Sequence, residues 1–134
     1  MAEKNIDLNA LGQALDTTFT RSSASSGPVL NTYSVKAGFA PGEKLRVKIV
    51  YTCAVNMVKD RDIRESKSRY EQEGDAYIEA AAKQIAKEYK ENVDSGSLRL
   101  SRSDVGTSIE IVDLNVHNNK RTALFRRIAY FDVN

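Results

Sequence analysis

One cysteine, one histidine and no tryptophan occur in 134 residues, so several kinds of chemistry are set aside at once. A lone Cys53 cannot close a disulfide within the chain, which argues against a bridge-stapled secreted domain. No Cys/His spacing suits zinc, and no Asp-rich loop suits calcium. His117 lies in the polar run His117-Asn118-Asn119-Lys120, where a turn residue is expected rather than a base or a ligand. Gly38, Gly42, Gly96 and Gly106 are isolated, and none forms a phosphate-cradling loop. Long apolar runs are missing too. The most apolar stretch, Leu45 to Val58, contains Arg46 and Lys48 and is too short for a bilayer. The first residues, Met1 to Asp7, lack the apolar run of a signal peptide. These absences lead us to expect a soluble, non-enzymatic protein of a reducing cytoplasm, with no metal and no cofactor.

What is present is enough for one domain over residues 1–134 with a modest core, since Leu, Ile, Val and Phe together number 32. Leu8, Leu11, Leu15 and Phe19 form one stripe of a short amphipathic helix within residues 1–20, with Asp7 or Asn5 as its cap. The following Thr20 to Pro28 is rich in serine and has no apolar period. It reads as a flexible loop, or as an arm that docks on a neighbouring subunit, completing a helix-plus-arm segment over 1–28. Val29 to Phe39 suits a strand, and Ala40-Pro41-Gly42-Glu43 a turn. Leu45, Val47, Ile49, Tyr51, Cys53 and Val55 then alternate strictly with more polar residues, the mark of a strand buried on one face.

Residues 60–93 change to helical spacing, with Tyr70, Gly74, Tyr77, Ile78, Ala81, Ile85 and Tyr89 along one side. Ser68 and Glu71 have capping-box spacing, with Asp60 and Asp62 as earlier starts, and Asp94-Ser95-Gly96 is the stop. The carboxylates Glu71, Glu73, Asp75 and Glu79 lie off the apolar stripe and are expected to be solvated. Beyond the helix we expect a short strand at Leu98 to Ser101, a turn at Ser103 to Thr107, and a strand from Ile109 to Val116. That strand needs a bulge or two buried faces. After the turn at His117 to Lys120, the closing strand from Thr122 to Val133 carries apolar residues on both faces. One face holds Ala123, Phe125, Ala129, Phe131 and Val133, the other Leu124, Ile128 and Tyr130, so a central position or cover from another chain is expected. The expected fold is α+β: a single antiparallel sheet with one long helix packed across it, in the order α-β-β-α-β-β-β.

The net charge of +2 conceals an uneven distribution. Residues 31–59 hold five basic side chains against Glu43 alone, whereas residues 60–96 hold seven basic and ten acidic ones. Residues 97–134 return to six basic against four acidic. Lys44, Arg46 and Lys48 share one strand face, which Arg99, Arg102, Arg126 and Arg127 are candidates to join. Arg127 lies among apolar neighbours and therefore calls for a carboxylate or an interface partner. Head-to-tail packing of an acidic helix on basic strands is one way such a chain would build a ring. An ordinary solvated face, or nucleic acid, is the other reading of these cations, although base-stacking aromatics are not interleaved with them.

The element order, closing on Leu124-Phe125-Arg126-Arg127-Ile128-Ala129-Tyr130-Phe131-Asp132-Val133, resembles that of small bacteriophage virion proteins. Tail-terminator and tail-completion proteins of long-tailed phages are the most similar in size and order, and tail-tube subunits share the sheet-plus-helix plan. The resemblance is one of topology over most of the chain. It implies a structural subunit that forms a ring or lattice with copies of itself and with other virion subunits, in the host cytoplasm and then in the virion. The residues expected at such contacts are Leu8, Leu11, Leu15, Phe19, Arg21, Lys44, Arg46, Lys48, Phe125, Arg126, Arg127, Tyr130 and Phe131. The alternative expectation is a small nucleic-acid-binding or adaptor domain using Lys44, Arg46, Lys48, Arg126 and Arg127.

Overall fold

In the computed structural model, residues 6–17, 20–26, 29–58, 65, 67–93, 98–115 and 120–134 are described. Helix α1 spans Leu8–Thr17, and Asp7 is its cap: the Asp7 Oδ1 accepts the N–H groups of Asn9 and Ala10 at 3.0 and 3.1 Å. Three strands follow, β1 (Thr20–Ser26), β2 (Val29–Phe39) and β3 (Arg46–Val58). Helix α2 then runs over Lys67–Asn92, and β4 (Leu100–Asn115) and β5 (Lys120–Val133) complete the elements of the described residues. All strands pair antiparallel in one sheet of order β1-β2-β3-β5-β4. The α+β class, the antiparallel sheet and the long helix across it are as expected.

The order of elements differs in two places. Residues 20–26 are a strand rather than a loop, paired with β2 from Thr20 opposite Val35 to Ser26 opposite Val29. An edge strand is held by backbone hydrogen bonds from one neighbour and requires no apolar period, so composition did not reveal it. Residues 103–107 are not a turn, because β4 continues through them with a register shift between Arg102 and Asp104. The polar side chains that suggested a turn serve a bulge instead. Ser103 Oγ donates to the Tyr130 carbonyl at 3.2 Å, and Asp104 Oδ1 accepts the Val105 N–H at 2.8 Å. Three strands thus precede α2 and two follow it. The turn after β2 is as expected, with Gly42 at φ 143°, a conformation that L side chains rarely adopt.

Both described helices lie on the same face of the sheet, and strand alternation decides what they cover. Val35, Ala37, Val47, Ile49, Tyr51, Cys53, Val55, Ala123, Phe125, Ala129 and Phe131 are buried there against Leu11, Leu15, Ile78, Ile85 and Tyr89. Burying side chains of this size contributes roughly 1.5–3 kcal/mol each, which makes this layer the main source of stability. Gly74 permits the close approach of α2, since a Cβ there would lie 2.8 Å from Arg127 Cβ and 2.9 Å from Tyr51 Cδ1. The Asp7 N–H donates to Tyr89 Oη at 3.0 Å, tying the start of α1 to the last turns of α2. Ser68 lies inside α2, so it does not cap the helix as its spacing suggested. The candidate start at Asp60 or Asp62, the stop at Asp94 to Gly96, the cap at Asn5 and the turn at His117 to Asn119 lie outside the described residues.

Candidate interaction surface

The interior strands β3 and β5 have two unlike faces. On the helix side their residues are almost all buried; on the other side Arg46, Lys48, Val50, Thr52, Ala54, Leu124, Arg126, Ile128, Tyr130 and Asp132 are all half-buried. No described element packs over that second face. Its middle is apolar, with Val50 opposite Ile128 and Ala54 opposite Leu124 in adjacent strands. Cations gather toward β2 and β3. Lys36 pairs in register with Val50, the Arg46 guanidinium lies 5.1 Å from the centre of the Tyr130 ring, and Lys48 Nζ lies 6.0 Å from it. Carboxylates lie toward β4: Asp104 is in register with Tyr130, and Glu110 bonds Arg126 at 3.0 Å. A shallow hollow of about 330 Å³ sits between β2 and β3 on this face, beside Lys36, Lys48 and Val50.

The expected cluster of cations therefore divides. Arg46, Lys48 and Arg126 share the open face, and Lys44 is exposed in the turn before β3. Arg127, one residue from Arg126, projects to the opposite side, as the two-residue period of a strand requires. There it is held between α2 and the sheet. Its Nε donates to Asp75 Oδ1 at 2.8 Å, and its Nη1 to Glu71 Oε2 at 2.9 Å and to Thr107 Oγ1 at 2.6 Å. The Arg127 side chain is 15% exposed, against 28% for Glu71 and 35% for Asp75. Its pKa is raised chiefly by the bond to Asp75, with burial opposing. Arg102 likewise turns to the helix and meets Glu79 at 3.4 Å.

These pairs bear on two expectations. Glu71 and Asp75 are not simply solvated, because Gly74 lets the helix lie close on the sheet and its flank meets Arg127. Part of the acidic side of α2 is also matched within the chain, since Glu71, Asp75 and the more exposed Glu79 meet arginines of β4 and β5. On the rest of the helix Lys67, Arg69, Lys83, Lys87, Lys90 and Glu91 are exposed, and Glu73 and Glu88 are half-buried. Head-to-tail packing of an acidic helix on a basic sheet would therefore have fewer unmatched carboxylates to draw on.

The remaining expected contact residues separate by depth. Leu11, Leu15, Phe125 and Phe131 are buried in the chain's own core, with Phe125 stacked on Tyr70 at 4.2 Å, so they are not free to meet a neighbour. Leu8 is 57% exposed and borders, with the 47% exposed Phe39 and with Leu45, a groove of about 380 Å³ at one end of the sheet. Arg21 is in register with Ser34, and Phe19 lies outside the described residues. Sequence reasoning did not bring together Tyr33, Tyr51 and Tyr77. Tyr51 and Tyr77 stack 5.4 Å apart, and Tyr33 lies 4.8 Å from Tyr77. The signal was there in the odd-numbered tyrosines of β2 and β3, but pairing β2 with β3 in the correct register was needed to join them.

Among the described residues, no group of three or more His, Cys, Asp or Glu is arranged to hold a metal, and no helix is long and apolar enough to cross a membrane. Cys53 is buried, and burial raises its thiol pKa, which suppresses thiolate chemistry. The surface with the least internal explanation is thus the open sheet face. No family model matches the chain, and no curated protein or solved structure is significantly similar to it.

Proposed function

We propose that this chain is a non-enzymatic assembly subunit, a bacteriophage virion component of the tail or of the neck or capsid. It works by association with copies of itself and with other virion subunits in a ring or lattice. After synthesis in the host cytoplasm it would reside in the virion. The observation that carries the reading is the open sheet face, where Val50, Ala54, Leu124 and Ile128 form an apolar centre that no described element covers. Two-sided apolar strands are characteristic of sheets covered on both sides.

Light scattering of the purified protein tests it. Association is expected at about 100 μM, where any contact with Kd below about 10 μM is largely formed. Ile128→Asp should abolish that association while leaving the helix signal intact. A wild-type protein that is strictly monomeric there refutes the reading.

A second reading is favoured by Lys36, Arg46, Lys48 and Arg126 on one face: binding of nucleic acid. It predicts an affinity that falls steeply with salt and is lost on charge reversal at Arg46 and Lys48. Against it stand Asp104, Glu110 and Asp132 on or beside the same face, and Tyr130, whose ring is already engaged by two cations.

A further inference from the structure

We infer that the open face is completed by a second copy of this chain, stacked sheet on sheet about a twofold axis parallel to the strands between β3 and β5. This rests on the assembly reading above and specifies its contact. The argument lies in the register. The β3–β5 rows of the open face pair Arg46 with Asp132, Lys48 with Tyr130, Val50 with Ile128 and Ala54 with Leu124. A twofold in that position lays β3 of one copy over β5 of the other at the same height. Each residue then faces the counterpart of its own row partner. Arg46 meets Asp132 of the second copy, Lys48 meets Tyr130, and Val50 meets Ile128. The same operation places β2 over β4, so Lys36 lies over Gly106, its row neighbour three strands away. The fourth cation, Arg126, lies over Thr52 and keeps its own Glu110. No like charges are brought into opposition.

The alternative twofold, running across the strands, lays β3 on β3 and β2 on β2. It sets β3 on a reversed β3 and β5 on a reversed β5, so Arg46 is not opposite Asp132 at any height of the axis. Charge complementarity between Arg46 and Asp132 thus favours the axis parallel to the strands. The spacing is compatible as well, because stacked sheets lie about 10 Å apart, a gap that opposed Arg and Asp, or Val and Ile, side chains span. Aligned sheets cross at about −30°, which shifts the outer rows sideways by several ångströms, within the reach of Arg46. Four strands at about 4.8 Å spacing, over about 30 Å of strand, give a footprint of about 600 Å² before side-chain relief. That approaches the roughly 800 Å² per partner of a standard stable interface.

The experiment uses two full-length charge reversals, Arg46→Asp and Asp132→Arg. In a homodimer of either, four like charges meet, so each should associate at least tenfold more weakly than wild type. Mixed together they restore both opposite-charge contacts, and native mass spectrometry should show a one-to-one heterodimer of near wild-type affinity. Unchanged homodimers, or a mixture that does not complement, overturn this geometry while leaving self-association itself standing. A monomeric wild type overturns both, and if it instead binds DNA with a steep salt dependence that Arg46→Asp abolishes, the face belongs to nucleic acid. Should the variants lose their fold, carbodiimide cross-linking of mixed light- and heavy-isotope wild type decides. Inter-copy links from Lys48 to Asp132 are expected, whereas inter-copy links confined to Lys83 and Lys87 of α2 overturn the proposal.

Discussion

Replacing Arg127 with methionine removes the guanidinium between α2 and the sheet while keeping most of its hydrophobic length. Four bonds disappear: two to Asp75 at 2.8 and 3.3 Å, one to Glu71 and one to Thr107. Removing one member of a fully buried pair costs about 3–5 kcal/mol, because the other charge is left uncompensated. Here Glu71 and Asp75 are 28% and 35% exposed, so water recovers part of their solvation and the cost falls to about 2 kcal/mol. Thr107 Oγ1 retains its 2.9 Å bond to Glu71. For a domain of this size about 2 kcal/mol lowers the melting temperature by roughly 6–10 °C. Urea unfolding followed by circular dichroism measures it directly. If uncompensated charge is the cause, adding Glu71→Gln and Asp75→Asn to Arg127→Met should recover at least half of the loss. An Arg127→Met protein within about 0.5 kcal/mol of wild type, or a triple variant less stable than the single one, refutes the reasoning.

Gly74→Ala should destabilise by about 1–2 kcal/mol, as the clash with Arg127 and Tyr51 exceeds the roughly 1 kcal/mol gained in helix propensity; a rise in denaturation midpoint would contradict the close approach. Asp7→Ala should cost about 1 kcal/mol and speed amide exchange at Asn9 and Ala10, whose N–H groups it caps. Stability should fall in alkali. Tyr51 is raised above its ordinary pKa first by burial and then by neighbouring Cys53, and Tyr70 and Cys53 are raised mainly by burial. A raised folded pKa means that the folded state holds its proton longer. The stabilisation is complete below the unfolded values, about 8.5 for the thiol and about 10 for the phenols, and is lost as pH rises beyond them. Tyr51 alone contributes a slope of up to about 1.4 kcal/mol per pH unit, and Tyr51→Phe should flatten the alkaline limb of a stability–pH curve without lowering stability at neutral pH.

The strand from Leu45 and the helix through Ile78 and Ile85 were legible because burial on one side imposes a period on sequence. So was the unusual closing strand, whose two apolar faces proved to be a covered core face and an open one. The edge strand β1 was not legible, since backbone pairing with β2 leaves no trace in the alternation of Thr20 to Ser26. The bulge at Arg102 to Asp104 was disguised by residues that serve turns and bulges equally. Arg127 announced that it needed a partner, but not which one. Choosing Asp75 and Glu71 required knowing that Gly74 brings α2 onto β5.

The position of β5 has a consequence for how the molecule is made. It follows the other described strands in chain order, yet it lies between β3 and β4, so the middle of this sheet closes last. Until Phe125 to Phe131 arrive, Val47, Ile49 and Tyr51 have a partner strand on one side only and an open hydrogen-bonding edge on the other. A nascent chain therefore presents an unpaired apolar edge throughout the synthesis of α2 and β4. That interval, rather than the finished fold, is where this protein is most exposed to mispairing with its neighbours and most in need of a chaperone.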